Sequence, residues 1–397
     1  MGPPRLRSAV DRMSARPHVA RPPPRTSHRR VTFLVCPMAA REHELATQRA
    51  VAGRLAALLG CAQGDDCDYA GTPQAIGYAV PNDTLTSLGD AWRWGIRSAD
   101  DLFGGVVPAP FVATKSITHP LVAPGAIAPP GWSARFAERV AGVVLPGRSA
   151  FTFEDARRAG RSLLEDGPVR LKLASGVGGA GQWVGHDAAE LDARLAALDA
   201  SAALPGGLVL ERHLEDVRTF SVGRVRVGGL EASYVGTQST TPDARGRERY
   251  GGSSLTVVRG DFDALERLAG ASEAQRRAVG LARVYHAAAF ECFEGMFASR
   301  CNYDVAEGRD AAGRAVAGVL EQSWRIGGAS GAEVAALEVL QADPAREVVR
   351  ASTAERYGPG VQVPADATLY FCGVDEHAGM ITKYACIDAD DDPRAEG

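Results

Sequence analysis

The 397-residue chain is 45% apolar with few aromatics (7%), enough length and apolar content for two or three packed domains. Its formal charge of −4 hides an asymmetry: residues 1–30 hold eight arginines, six prolines and the single acid Asp11, so nucleic-acid binding has no support outside that leader. No run approaches the ~18 apolar residues of a membrane span, and seven scattered cysteines with neither a CxxC nor a zinc spacing fit free thiols in a reducing cytoplasm.

In chain order, the run Arg21-Pro-Pro-Pro-Arg25 cannot form a helix and buries nothing, so residues 1–30 read as a disordered leader. It is Arg-rich and acid-poor like a transit peptide, and Met13 and Met38 offer other starts. Residues 31–36 form an apolar strand, and 41–59 a helix with Leu45, Val51, Leu55 and Leu58 on one face, ended by Gly60. Residues 31–110 thus read as a small α/β domain. Proline and glycine clusters between Gly104 and Gly131 predict a hinge or linker. Thr152 and Asp155 form a capping box for a helix that ends at Gly167. The strand at 169–173 alternates, Val169, Leu171 and Leu173 opposite Arg170 and Lys172. Asp187 and Glu190 cap the next helix. Strands follow at 208–211, 220–227 and 232–236, then a helix from Ser272 to about Phe290. Ser330 and Glu333 predict a further capping box. Residues 346–397 read as a C-terminal extension, with strands at 368–373 and 380–387 and an acidic tail. The class is α+β.

Lys172 is one of three lysines in the chain, with Lys115 and Lys383. It sits at the end of an apolar strand, before a loop containing Gly176, Gly178, Gly179 and Gly181. A point charge beside closely approachable backbone N–H groups is what a polyphosphate needs. The loop also satisfies GxGxxG, the fingerprint of a Rossmann-type oxidoreductase, but that requires the last glycine to open a helix. Here the helix cap comes only at Asp187, so a glycine hairpin lying over phosphates fits better; a hairpin without ligand is the bland alternative.

Asn302-Tyr-Asp304 and Glu321-Gln-Ser323-Trp-Arg325 read as two strands of a hairpin. Closure about Ala312-Gly313 with an even-numbered loop sets Asp304 opposite Glu321, with Cβ atoms about 5 Å apart. Two carboxylates so placed repel unless a cation lies between them, and magnesium takes one or two carboxylates plus phosphate oxygens. Ser323 shares the face of Glu321 and offers a third oxygen. An edge hairpin with solvated acids is the alternative. The apolar strand running into Glu211-Arg-His-Leu214-Glu215 suits a hinge that offers backbone groups to an adenine, or is an ordinary strand end. Arg245, Arg247, Arg249 and Tyr250, on a flexible loop at 237–254, would recognise an anionic substrate or simply be solvated. His119, His213 and His286 have no partner spacing that suggests catalysis or metal binding.

These pieces in this order resemble the ATP-grasp superfamily of glutathione synthetase and biotin carboxylase. The Glu-Gln-Ser-Trp-Arg wording is also similar to that of a bacterial family of unassigned function. The resemblance covers roughly residues 110–345 and implies a two-lobe ATP-grasp region at 111–345, preceded by the small α/β domain. It implies that Lys115 and Lys172 hold phosphates under the N–H groups of Gly176, Gly178, Gly179 and Gly181. Glu211, Leu214 and Glu215 would contact adenosine; Asp304, Glu321 and Ser323 would hold Mg2+; Arg300 and Arg325 would meet charge developing on the transferred group. Ser323 departs from the family's asparagine. Arg218 lies near where an acid normally holds the ribose, which leaves Glu215 or Asp216. The implied activity is an ATP- and Mg2+-dependent, cytoplasmic ligase joining a small-molecule carboxylate to an amine or similar nucleophile, with no nucleic-acid or membrane partner. A non-catalytic ATP-binding protein and an ATP-dependent kinase on the same fold are the alternatives.

Overall fold

A computed structural model describes residues 30–37, 41–74, 76–174, 176, 181–200, 204, 206–243, 246–376 and 378–388. The Arg/Pro-rich leader at 1–29, Gly178, Gly179, Arg245 and the acidic tail from 389 lie outside the described residues. The α+β class expected from the sequence is what the structure shows. No described helix is long and apolar enough to cross a membrane.

The chain opens with a four-stranded parallel sheet in which β1 (Arg30–Val35) is paired with β2 (Ala62–Gln63), β3 (Cys67–Asp68) and β4 (Tyr78–Pro81). Helix α1 (Glu42–Leu58) lies on it, burying Val51, Leu55 and Leu58 as the apolar spacing requires. Those side chains share one core with Val225, Val257 and Leu337 from far along the chain.

A four-stranded antiparallel sheet follows, ordered β6-β9-β7-β8: β6 (Gly147–Ala150), β7 (Val169–Leu173), β8 (Gln182–Gly185) and β9 (Leu208–Arg212). Helices α4 (Phe153–Leu164) and α5 (Ala188–Ala200) back it. Thr152 Oγ1 accepts from Asp155 N at 3.1 Å as an N-cap, without the reciprocal bond of the expected capping box, and Asp187 Oδ1 accepts from Glu190 N at 2.9 Å. Val169 and Leu171 pack with Ala159, Leu191 and Leu195, which turns Lys172 to the face away from the helices.

The largest layer is an eight-stranded antiparallel sheet, ordered β15-β14-β10-β11-β12-β16-β18-β17. Its strands are β10 (Glu215–Val227), β11 (Leu230–Pro242), β12 (Glu248–Arg259), β14 (Arg300–Arg309), β15 (Ala315–Ser323), β16 (Val348–Tyr357), β17 (Thr368–Asp375) and β18 (Gly379–Ile387). The long α7 (Glu273–Cys292) covers one face with α3 (Ala134–Val140) and α6 (Phe262–Glu266), while α8 (Ser330–Ala342) covers the other. The short α2 (Leu88–Arg93) belongs to the first unit, where Ala91 packs with Leu34 and Ala79. Strand alternation in β14 decides the site: Cys301, Tyr303 and Val305 enter the α7 core, so Arg300, Asn302 and Asp304 face the other way.

Three expectations change. The extension at 346–397 is no separate piece in its described part, because β16 pairs with β12 and carries β18 and β17 into the same sheet. The segment 104–131 is no loose linker: β5 (Gly105–Val106) pairs with β13 (Phe297–Ala298), and two 3-10 turns, Pro110–Ala113 and Lys115–Thr118, bury Phe111, Val112, Ile117 and Thr118. The flexible loop expected at 237–254 is largely β11 and β12, with Arg247 and Arg249 committed to Asp243 at 2.9 and 3.2 Å and the Tyr250 hydroxyl on Ser253 Oγ at 2.6 Å. Its glycines mark close approach rather than freedom, since a Cβ on Gly252 (φ +133) would overlap the Thr353 carbonyl of β16.

Gly252→Ala therefore lowers the melting temperature well beyond Gly313→Ala, whose left-handed glycine (φ +74) has open space around it and costs only about 1–2 kcal/mol. Equal losses in thermal unfolding would show that β16 is not packed on β12 as described.

Candidate active site

Asp304 and Glu321 do face each other across β14 and β15, though not by the route the sequence suggested. The turn is odd-numbered: Arg309 pairs with Ala315, leaving residues 310–314 in the loop, where Asp310 Oδ1 accepts from Ala312 N and Arg314 N at 3.0 Å each. That register alone would set Leu320 against Asp304. A β-bulge follows, since Val305 pairs with Val319 but Asp304 pairs with Glu321, and the extra residue Leu320 restores the facing acids.

Asp304 Oδ1 accepts from Asn302 Nδ2 (2.9 Å), Gln238 Nε2 (2.9 Å) and Ser221 Oγ (3.4 Å). Burial, reinforced by the Glu321 charge, nevertheless pushes its carboxyl up to about 6. Glu321 Oε2 lies 2.7 Å from Lys115 Nζ, and the same ammonium donates to Gly176 O at 2.7 Å. One cation thus joins the acid strand to the first glycine of the loop. Gly181 (φ +70) closes that loop against Leu173, as a left-handed turn residue must. Gln322, on the opposite side of β15 from Glu321, holds the turn that carries Lys115. Its Nε2 donates to Val112 O and Thr114 O at 3.1 and 2.7 Å, and its Oε1 accepts from Tyr285 at 2.8 Å.

Lys172 belongs to a second charged group. Its Nζ lies 2.6 Å from Glu211 Oε1, and Glu211 Oε2 lies 3.1 Å from His119 Nε2, all three side chains buried. Burial alone would raise the Glu211 carboxyl, but the Lys172 charge and the His119 contact outweigh it and hold the group at about 2. The Glu211 side chain is therefore directed at Lys172 and His119 rather than offered to an adenine, and His119, which its spacing gave no reason to select, is part of the site. Sequence separation hid the contact, since the two positions are 92 apart along the chain.

The segment from β9 to β10 crosses between the two antiparallel sheets. Arg212 N and His213 N donate to Pro146 O and Pro168 O at 2.8 and 2.9 Å, and Leu214 is buried with Leu145 and Ala306. Glu215 opens β10 on the exposed side, before a bulge where Asp216 takes φ 51. Arg218 lies over the Phe220 ring, 4.8 Å from its centre.

Arg300 requires a correction. It is 2% exposed, paired with Glu333 at 2.7 Å, and its Nη1 donates to Arg325 O (2.7 Å) and Ser323 Oγ (3.3 Å). A guanidinium so committed has no donors left for a transferred group. Ser323 is likewise engaged, because its Oγ accepts from Arg300 instead of standing clear beside Glu321. Glu333 forms no capping box; α8 starts at Ser330 without a side-chain cap, and the Glu333 carboxylate turns to Arg300 and to the Tyr234 hydroxyl at 2.6 Å. Tyr234 in turn lies 3.0 Å from Asn302 Oδ1, and Asn302 reaches Asp304. Asn302 was legible in principle, being two residues from Asp304 on the same strand face; Gln238 and Tyr234 carried no sequence signal, and Glu333 signalled only a helix cap. Arg325 is freer: a quarter exposed, it donates to Ile326 O at 3.0 Å, with Asp83 at 3.8 Å.

Among the described residues no three metal-ligating side chains cluster. Two facing acids, one already saturated on a single oxygen, fit a cation that takes its remaining ligands from phosphates and water. Cavities of about 230 and 320 Å3 lie elsewhere, one beside Arg148 and Arg158, the other beside His286, Arg224 and Arg226, whose guanidiniums are paired with Glu231 and Asp100.

The structure is similar to a biotin carboxylase from Campylobacter jejuni in complex with β,γ-ATP, at 11% identity over 90% of this chain and 87% of that one, with a TM-score of 0.49. It is also similar to phosphoribosylamine–glycine ligase from Thermotoga maritima (14% identity, 90% and 92% covered, TM-score 0.46). A third likeness is to D-alanyl-alanine synthetase A from Vibrio cholerae (9% identity, 75% and 90% covered, TM-score 0.40). No curated protein matches the sequence. Residues 35–385 match the family described as protein of unknown function (DUF3182), and the chain belongs to that family.

Proposed function

We propose that the protein is an ATP- and Mg2+-dependent ligase of ATP-grasp type, activating a carboxylate as an acyl phosphate for attack by an amine or similar nucleophile. The observation that carries this reading is Lys115, whose Nζ lies 2.7 Å from Glu321 and 2.7 Å from Gly176 O. A buried ammonium that bridges an acid strand to a glycine loop brings together the two elements between which a phosphate–metal complex would lie. The charges now satisfy one another, Lys115 with Glu321 and Lys172 with Glu211. A magnesium nucleotide offers Glu321 a divalent ion and Lys115 phosphate oxygens, so that pair exchanges one ionic partner for another, while Lys172 adds a phosphate oxygen to its contact with Glu211.

In this reading residues 31–110 form the preceding domain and 111–345 the nucleotide-binding region, with the described strands beyond 345 completing its sheet. Lys115 and Lys172 bind phosphates, and backbone N–H groups of the loop from Gly176 to Gly181, with Gly178 and Gly179 between, cover them. Leu214 and Glu215 meet adenosine at the crossing between sheets. Asp304 and Glu321 would hold magnesium, which when bound neutralises charge on the terminal phosphates. Arg325 faces charge developing on the transferred group. Closure of the loop keeps water from the acyl phosphate. Seven free cysteines support a reducing, cytoplasmic setting. A non-catalytic ATP binder is the second reading, favoured by the engagement of Ser323 with Arg300.

Glu321→Ala abolishes ADP release measured with Mg-ATP and pooled carboxylates and amines while circular dichroism stays unchanged; undiminished turnover removes Glu321 from the metal site. A wild-type protein that binds ATP without releasing ADP under those pools establishes the second reading. Lys172→Ala weakens ATP binding at least tenfold by calorimetry, since a charge-assisted contact contributes roughly 1.5–3 kcal/mol. Unchanged affinity would mean that Lys172 does not meet the nucleotide.

A further inference from the structure

We propose that His119 is a positioning residue which holds Glu211 on one oxygen, so that Lys172 keeps donors available for a phosphate; the proposal rests on the nucleotide reading above. Glu211 is 1% exposed, so its two oxygens must find partners within the protein. Oε1 takes Lys172 at 2.6 Å and Oε2 takes His119 Nε2 at 3.1 Å. Without that second partner the carboxylate would close on Lys172 with both oxygens and draw the ammonium into the wall of the small sheet.

The imidazole is fixed tightly enough to do this. It follows the 3-10 turn Lys115–Thr118, between Thr118, whose Oγ1 lies 3.1 Å from the Tyr285 hydroxyl, and Pro120, whose carbonyl accepts from Ser149 N at 2.9 Å. Its ring lies on Gly147, where a Cβ would stand 2.7 Å from Nδ1 and Cε1. An ionised Glu211 accepts only, so Nε2 carries the proton and donates; Nδ1, which has no hydrogen-bond partner among the described residues and no exposure, is then a lone pair, and no ring N–H is left unsatisfied. The same turn carries Lys115 at its other end, bonded to Glu321. Five consecutive residues, 115 to 119, therefore set the spacing between the two lysine groups, and His119 is the end that grips the small sheet.

The chain has three lysines, so a lysine-selective 13C spectrum holds three side-chain signals, with Lys383 as internal control. His119→Phe keeps a ring but loses the donor; His119→Gln keeps a donor. The Phe variant shifts the Lys172 signal, leaves Lys383 in place and weakens ATP binding about tenfold or more, and the Gln variant recovers both. An unmoved Lys172 signal in His119→Phe, or a Gln variant as impaired as Phe, overturns the positioning role. Should the Phe variant not fold, 15N histidine spectra of the wild type decide the matter: a proton on Nδ1 instead of Nε2 overturns the assigned contact. Absence of ATP binding by the wild type, with the Lys172 signal still moving in the Phe variant, overturns the nucleotide reading and leaves the His119–Glu211–Lys172 relation standing.

Discussion

Two carboxylates set face to face across neighbouring strands are the constraint to which the rest of the site answers. Unit charges about 5 Å apart at an effective dielectric near 20 repel by about 3 kcal/mol. Three neutral donors reach one oxygen of Asp304, yet burial and the opposing charge still leave its carboxyl raised. Neutral dipoles orient the group; a cation is what relieves it. Lys115 supplies that cation to Glu321, and because its ammonium also binds Gly176 O, relief of the acids and the position of the glycine loop are one interaction. The bulge at Leu320 is therefore the local feature on which the site turns, because without it Glu321 would leave its place opposite Asp304.

The elements that produce periodicity were legible. Strands with alternation and helices with caps appear where Val169, Leu171, Thr152, Asp187 and Ser272 predict them. The segment 104–131 was misread because its backbone order comes from side chains elsewhere, such as Gln322 on Val112 O and Thr114 O. Such bonds leave no repeat in the sequence, so prolines and glycines shaping tight turns look like a linker. The stretch 237–254 failed for the opposite reason. Glycine and serine there permit strands to approach closely, and composition alone does not separate that from a loop.

Within the site, residue type and strand face were readable, while partners were not. Asp304, Glu321, Lys115 and Lys172 were selected because a charge on or beside an apolar element needs a reason. The pairing of Lys172 with Glu211 was not foreseen, although β7 and β9 are adjacent with Lys172 opposite Val209. His119 was passed over because spacing along the chain carries no information on a contact made through the fold. Arg300 was misassigned because the ion pair that brings Glu333 of α8 to it cannot be derived from the motif around it.

A buried ion pair such as Arg300–Glu333 pays a desolvation cost that a well-packed apolar pair would avoid, so stability alone is a poor reason for it. Its geometry offers another. Glu333 reaches Tyr234, Tyr234 reaches Asn302, and Asn302 holds Asp304 on one oxygen, while Arg300 fixes the Arg325 carbonyl and the Ser323 hydroxyl on the neighbouring strand. The buried pair thus orients both strands of the acid hairpin from beneath, through contacts that an apolar substitute could not make. Lys115 constrains the same hairpin from above. Asp304 and Glu321 are therefore held between two buried positive groups, the Arg300 guanidinium and the Lys115 ammonium.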